Sequence, residues 1–308
     1  MKKNLLPVIL SISGIFCSCT INAQNSSTIS NSTRELKIDK KFEGLKSQSA
    51  IEIIYTQNNK PSIANIQGPK EIIDGMSWQV DGQGNLSFKL PNFIKKQVGK
   101  VTIQLNGGLL TNYEASSAGS IKILSPVMTD KFLQIVTSSA GKIFFNDDVT
   151  TKTSINIVTS SSGKIEFQKA LQGYQMSMVA SSSGMISIPS LSLQELNYTG
   201  SSVGLMEVGQ ANLKRVRVTV SSGGGSNFNK LVTDEIKVIS SSGGEFECND
   251  ISMQEMTLTA SSGGTITMSG KCGEASMSAS SGGKINVKGM TIDKINSQSS
   301  SSSGQINL

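Results

Sequence analysis

Ser138-Ser139-Ala140-Gly141-Lys142-Ile143-Phe144-Phe145 and, one repeat on, Ser160-Ser161-Ser162-Gly163-Lys164-Ile165-Glu166-Phe167 decide how this chain is read. A small serine-glycine corner is followed by apolar residues at alternate positions, and the unit recurs through the last two thirds of the sequence. The corners end at Gly119, Gly141, Gly163, Gly184, Gly204, Gly224, Gly244, Gly264, Gly283 and Gly304, spaced 19 to 22 residues apart. Self-similarity at such a period marks a solenoid.

Counting from each corner glycine sharpens the pattern. Positions +2 and +4 are apolar in nearly every repeat, as in Ile121 and Ile123, Ile165 and Phe167, or Ile266 and Met268. Positions −8 and −6 repeat the alternation (Leu133 and Ile135, Ile236 and Val238), which is the signature of strands with one buried face. One apolar residue near +7 to +9, such as Val149, Leu171 or Leu213, marks a third, shorter side. The predicted fold is all-β: a single-stranded parallel β-helix, or β-solenoid, of about 20 residues per rung, with a right-handed coil expected. A helical-hairpin repeat fails because the apolar spacing is 2 and serine-glycine corners break helices. A leucine-rich repeat fails because its leucine and asparagine framework is missing.

Glycine at the corner supplies either a positive φ or room for the backbone. The serines at −2, from Ser117 to Ser302, are expected to stack from rung to rung as a buried hydroxyl ladder. A catalytic serine would need a base, and the chain contains no histidine.

Residues 1–23 read as an export signal, with Lys2 and Lys3 ahead of an apolar run from Leu5 to Phe16. Two processing sites compete: cleavage after Ala23, and lipidation of Cys19 behind an imperfect lipobox. Residues 24–33 read as a flexible tether. Residues 34–308 form the β-helix domain, irregular over 34–110, where the corners are absent, and regular over 111–308. Export places the protein at the outer membrane or cell surface, or in the periplasm.

The chain carries 28 Lys and Arg against 22 Asp and Glu, two of the lysines lying in the signal. The mild positive balance is dispersed, without a basic cluster interleaved with aromatics, so nucleic acid is not an expected partner. Beyond the signal only Cys248 and Cys272 remain, on different sides of adjacent rungs and too far apart to bridge.

The leading segment carries a resemblance. Arg34-Glu35-Leu36, Phe42-Glu43-Gly44-Leu45, Ile51 to Gln57, Ile66-Gln67-Gly68-Pro69, Trp78 to Gly82, Leu86 to Leu90 and Val101-Thr102-Ile103, followed by serine-glycine rungs, resemble the head GIN domain family. That resemblance implies an exported β-helix of the Bacteroidetes type and an adhesin role that is itself an inference in the family. It brings no catalytic residues, and this chain has more rungs than a typical member.

Stacked rungs turn outward positions into columns. Column +3 holds Glu207 and Glu247 two rungs apart, about 9.6 Å, near the separation of an inverting glycosidase pair. With no aromatic subsite or arginine beside them, they read as solubilising residues. Asp147-Asp148 and Asn249-Asp250 are isolated, unlike the aspartate in every rung of calcium-binding repeats. Column −5 holds Val136, Val158, Val179, Thr199, Thr219, Ile239 and Thr259, a flat, weakly apolar strip beside the outward serines at −3. That strip is the expected contact face for a glycan or protein partner. No catalytic residue, cofactor or metal site is assigned. A polysaccharide-active enzyme and an envelope scaffold are the alternatives to a binding module. The last rung, lacking a cap, is expected to self-associate, and the membrane is reached only through a lipid on Cys19.

Overall fold

Residues 31–91 and 99–308 are described by the structure, a computed structural model. The signal, Cys19 and the tether up to Ser30 lie outside the described residues. Everything from Asn31 on belongs to one unit, a stack of parallel β-coils forming a single continuous 25-stranded sheet. The pairing follows the repeat. Ile121 lies opposite Ile143, Ile143 opposite Ile165, Ile165 opposite Ile186 and Ile186 opposite Met206, all in parallel register. Alternate residues point inward, so both apolar columns are buried, together with the small residues at −4 such as Ala115, Ala180 and Ala260.

Strand continuity broadly follows coil length, although the 20-residue coil after Gly224 breaks into Gly225–Val232 and Glu235–Ser240 while the 21-residue coil after Gly283 runs unbroken as Lys284–Ser300. In the 22-residue coils the chain breaks into three short strands, such as Ser120–Ile123, Val127–Thr129 and Leu133–Thr137. In several of the 20-residue coils a single strand runs from one serine-glycine corner to the next, as in Met185–Gly200, Leu205–Val220 and Glu245–Ala260. In these coils the strand passes the other two bends unbroken. On the third side, register places Ala211 opposite Leu191 and Leu231, and Leu213 opposite Leu193. That side therefore has two inward positions rather than the one expected.

The corner works differently from the sequence expectation. Residues −2 and −1 both have positive φ, as in Ser117 (49°) and Ala118 (60°), and the glycine N–H donates to the −3 carbonyl, 2.8 Å at Gly119 to Ser116. This is a β-turn with both central residues left-handed, the pattern of type I′. The corner glycine is needed for space: a Cβ on Gly141 would lie 2.1 Å from the carbonyl oxygen of Ala115 in the coil before. The −2 serines are exposed, not buried, because the left-handed backbone turns them to solvent. Adjacent corners are joined by backbone instead, with Ala118 N–H donating to Ser139 O at 2.9 Å and Ser183 N–H to Ser202 O at 3.0 Å. The buried hydroxyl contact sits at −4, where Thr137 donates to Thr159 at 2.8 Å.

Val203 stands at −1 with φ 65°, a conformation that suits a β-branched residue poorly. The next four corners carry Gly223, Gly243, Gly263 and Gly282 there. Val203→Gly is therefore expected to raise stability by about 1 kcal/mol, strain relief outweighing the unfolded-state entropy of glycine. Thermal unfolding checks it, and an unchanged or lower midpoint would contradict the reading.

The leading segment forms the first coils and their cover. Strand Ile51–Gln57 is wedged in parallel between Val101–Gly107 and Ser120–Ile123. Strands Asn31–Lys37 and Ile63–Pro69 then extend this sheet antiparallel. Residues 31–33, expected in the tether, pair with 67–69, since Thr33 and its neighbours find a free strand edge. A short helix, Lys70–Asp74, buries Ile72 and Ile73 over the end of the core. Arg34 ties down its C-terminal carbonyls, reaching Ile73 O, Asp74 O and Met76 O at 2.7, 2.9 and 3.0 Å.

A corner does exist in the supposedly corner-free region. Ser49 and Ala50 have φ of 56° and 57°, Ile51 N–H donates to Gln48 O at 3.1 Å, and Ala50 N–H donates to Ser117 O at 3.0 Å. Ile51 stands where later corners have glycine. The strand before it in the stack is Val101–Gly107, and Lys100, at the −1 place ahead of it, does not share the positive φ of the later corners.

Glu52 fastens this junction. Its carboxylate, on a residue 8% exposed, accepts Lys100 at 2.6 Å and Lys122 at 2.8 Å. Burial alone would raise its pKa, but the two lysines overcome that and hold it below the ordinary value. A depressed folded pKa gives stability that is present above the unfolded value and lost as pH falls through the folded one. Glu52→Gln is expected to cost about 1–2 kcal/mol at neutral pH. The gap from wild type should narrow as pH falls through and below the ordinary carboxylate range, as read by urea unfolding across pH. A gap that stays constant would contradict it.

Candidate functional site

The −5 residues stack in one column. Val136, Val158, Val179, Thr199, Thr219, Ile239 and Thr259 are opposite one another in successive coils, with parallel register throughout. All seven are half-buried or exposed. Their neighbours at −6 and −4 point into the core, so the strip is fixed by the same alternation that builds the fold. At its leading end the column continues into Glu114 and Lys46, where the ammonium bridges Glu114 at 3.1 Å and Asp81 at 3.2 Å. The column at −7 beside it turns cationic at Arg217 and Lys237. Arg217 in turn pairs with Glu195 at 2.5 Å.

The face beyond the corner carries column +3. Glu207, Asn227 and Glu247 stand opposite one another in consecutive coils, so an amide separates the two carboxylates. Glu207 is exposed and Glu247 half-buried. Glu166, two coils earlier, is occupied by Lys164 at 2.9 Å and Gln168 at 3.0 Å. Between Glu166 and Asn227 the surface sinks into a shallow depression of about 440 Å³. Sequence columns name its rim residues, but the depression lies beside Pro189 and Gly209 at +5, a column that the alternation does not single out.

The other sequence candidates have structural partners. Asp147 takes Lys169 at 2.7 Å and Asp148 accepts Ala170 N–H at 3.0 Å, both in the next coil. Among the described residues no group of three or more His, Cys, Asp or Glu is placed to hold a metal. Cys248 and Cys272 are both free and buried. Burial pushes the Cys248 thiol up to about 12 and that of Cys272 up to about 11, which keeps both protonated and unreactive at neutral pH. No helix among the described residues is long and apolar enough to cross a membrane.

Comparison with known proteins fits this geometry. The family described as "Putative auto-transporter adhesin, head GIN domain" matches over residues 41–250 and again over 227–308. The chain belongs to the head GIN domain family. The two matches overlap within the regular coils, as a long head GIN array produces. Among solved structures, a "putative adhesin from Parabacteroides distasonis" is similar at 14% identity and TM-score 0.56. It covers 86% of this head GIN chain and 97% of its own. A "putative adhesin from Parabacteroides merdae" is similar at 16% identity and TM-score 0.50, covering 86% and 95%. At these identities the likeness shows the fold. No curated protein matches this head GIN sequence.

Proposed function

We propose that this protein is an exported binding module of the adhesin type, without catalytic activity, displayed at the outer membrane or cell surface, or held in the periplasm. The observation that carries the reading is the combination of a head GIN match across the coils with an unbroken outward strip from Val136 to Thr259. A stiff array presenting a flat β-branched face is built to lie against a glycan or protein surface. Catalysis is disfavoured by the chemistry of the exposed columns. The chain has no histidine, and the buried thiols stay protonated.

Screening the purified mature chain on glycan and matrix-protein arrays tests the proposal, beside a Val158→Lys/Thr199→Lys variant that puts two charges on the strip. Retained ligand binding that the variant loses is the expected result. Binding to nothing would favour a scaffold role, and release of cleaved sugar would favour an enzyme. Intact-mass analysis of the mature N-terminus separates lipidated Cys19 from a free Gln24. Self-association through the last coil belongs to the same proposal, supported by Ile295 and Leu308, which stay 41% and 55% exposed. Sedimentation equilibrium tests it, and a strict monomer at high concentration contradicts it.

A further inference from the structure

We infer that Phe132 and Tyr174 form an aromatic platform for a neutral, extended glycan with β-1,4 linkages, at the border of the face that carries the −5 strip. The inference rests on the binding-module reading and names a ligand class for it. Among the described residues every other aromatic side chain is buried or half-buried, yet these two are 51% and 60% exposed, and both stand at the bend where the third side turns into the strand that holds −8 and −6. Exposed rings in one place mark a contact. Leu133, Ile155 and Met176 lie opposite one another in three successive coils, so Phe132 and Tyr174 are two coil steps apart and offset by one residue. Their backbones are therefore about 10 Å apart, close to one disaccharide repeat of an extended β-1,4 chain. The coil between them fills the gap with Thr153 and Ser154, both half-buried. Alternate sugars can lie on the two rings while the middle sugar passes over two hydroxyl side chains.

The surface beside the rings selects the ligand's charge. Two residues on, Gln134, Asn156 and Ser177 stand opposite one another, and beyond them lie Val136, Val158 and Val179 of the strip. No charged side chain occupies −9, −7 or −5 in these three coils, whereas the next three bring Glu195, Arg215, Arg217, Glu235 and Lys237 to the same columns. An uncharged ligand that offers C–H faces to aromatic rings and hydroxyls to amides fits this ground. A nucleic acid strand could stack on the rings too, but it calls for a basic track. Of the two lysines at this bend one, Lys131, is already paired with Glu43 at 3.2 Å.

Titration calorimetry of the full mature chain against cello-, manno- and chito-tetraose, with laminaritetraose, polygalacturonate and polylysine as contrasts, tests the inference. At least one β-1,4 tetraose should bind, with the same affinity at low and high salt. Phe132→Ala and Tyr174→Ala should each weaken it roughly tenfold, the size expected for losing one stacking ring, while Tyr174→Phe keeps it. Both alanines replace exposed rings, so the circular dichroism spectrum and the unfolding midpoint should stay as in wild type. Failure of all three β-1,4 tetraoses, preference for laminaritetraose, polygalacturonate or polylysine, or binding that neither alanine weakens overturns the platform. If tetraose binding is lost in Val158→Lys/Thr199→Lys but in neither alanine variant, or the arrays return only a protein ligand, the binding-module reading stands and the platform alone falls.

Discussion

Gly204→Ala is expected to destabilise the protein by about 3 kcal/mol or more, although it adds a single methyl group. The new Cβ would lie 2.1 Å from Ala180 O and 2.2 Å from Ala180 C. Those atoms are backbone of the preceding coil, held by the ladder that joins Ser201 N–H to Ala180 O at 3.0 Å. Neither side can yield without parting two coils. Gly243→Ala makes the control. Gly243 has φ +74° and open space around its Cβ position, so alanine there should cost only about 1–2 kcal/mol, the left-handed penalty. Urea unfolding of the two variants side by side reads the difference, and equal losses would mean that close approach is not what selects the corner glycine.

The second large effect lies in the core of the early coils. Phe145 is 1% exposed; its ring stacks on Phe167 at 4.8 Å and 5°, and meets Tyr113 edge-on at 5.2 Å and 81°. The three rings tie the wall built by position +4 to the wall built by position −6, across successive coils. Phe145→Ala should cost about 3–5 kcal/mol, and Phe145→Leu clearly less because it leaves a smaller cavity. Each coil leans mainly on its neighbours, so loss at this point should also split unfolding into two steps. A single unshifted transition for Phe145→Ala would contradict the packing.

The regular coils were legible in the sequence because one steric rule repeats ten times. Each corner glycine sits against a carbonyl of the coil before it, so the marker survives wherever a similarly bent coil precedes. The same rule explains what was hidden. The corner at Ser49 and Ala50 carries Ile51 in place of the marker glycine, and the coil before it has no positive φ at the matching Lys100. The helix Lys70–Asp74 is too short to show a period, and Arg34, which pins it, lies about 40 residues away in sequence. The exposed setting of Ser117 and its equivalents was misread because a column of serines fits a buried ladder and a left-handed turn equally well. The stacking of the −5 column needs only alternation, which the sequence carries. The depression beside Glu207 lies over Pro189 and Gly209 at +5, and side-chain size in that column is information that alternation does not carry.

Successive repeats stack in one column at the spacing of a β-ladder. Spin labels placed on Val136→Cys paired in turn with Thr219→Cys, Ile239→Cys and Thr259→Cys measure that directly by electron-electron double resonance, with Cys248 and Cys272 replaced by alanine. The coil stack predicts distances of about 19, 24 and 29 Å, rising by one strand spacing per repeat. Distances that fail to rise evenly, or that rise by another increment, would contradict it.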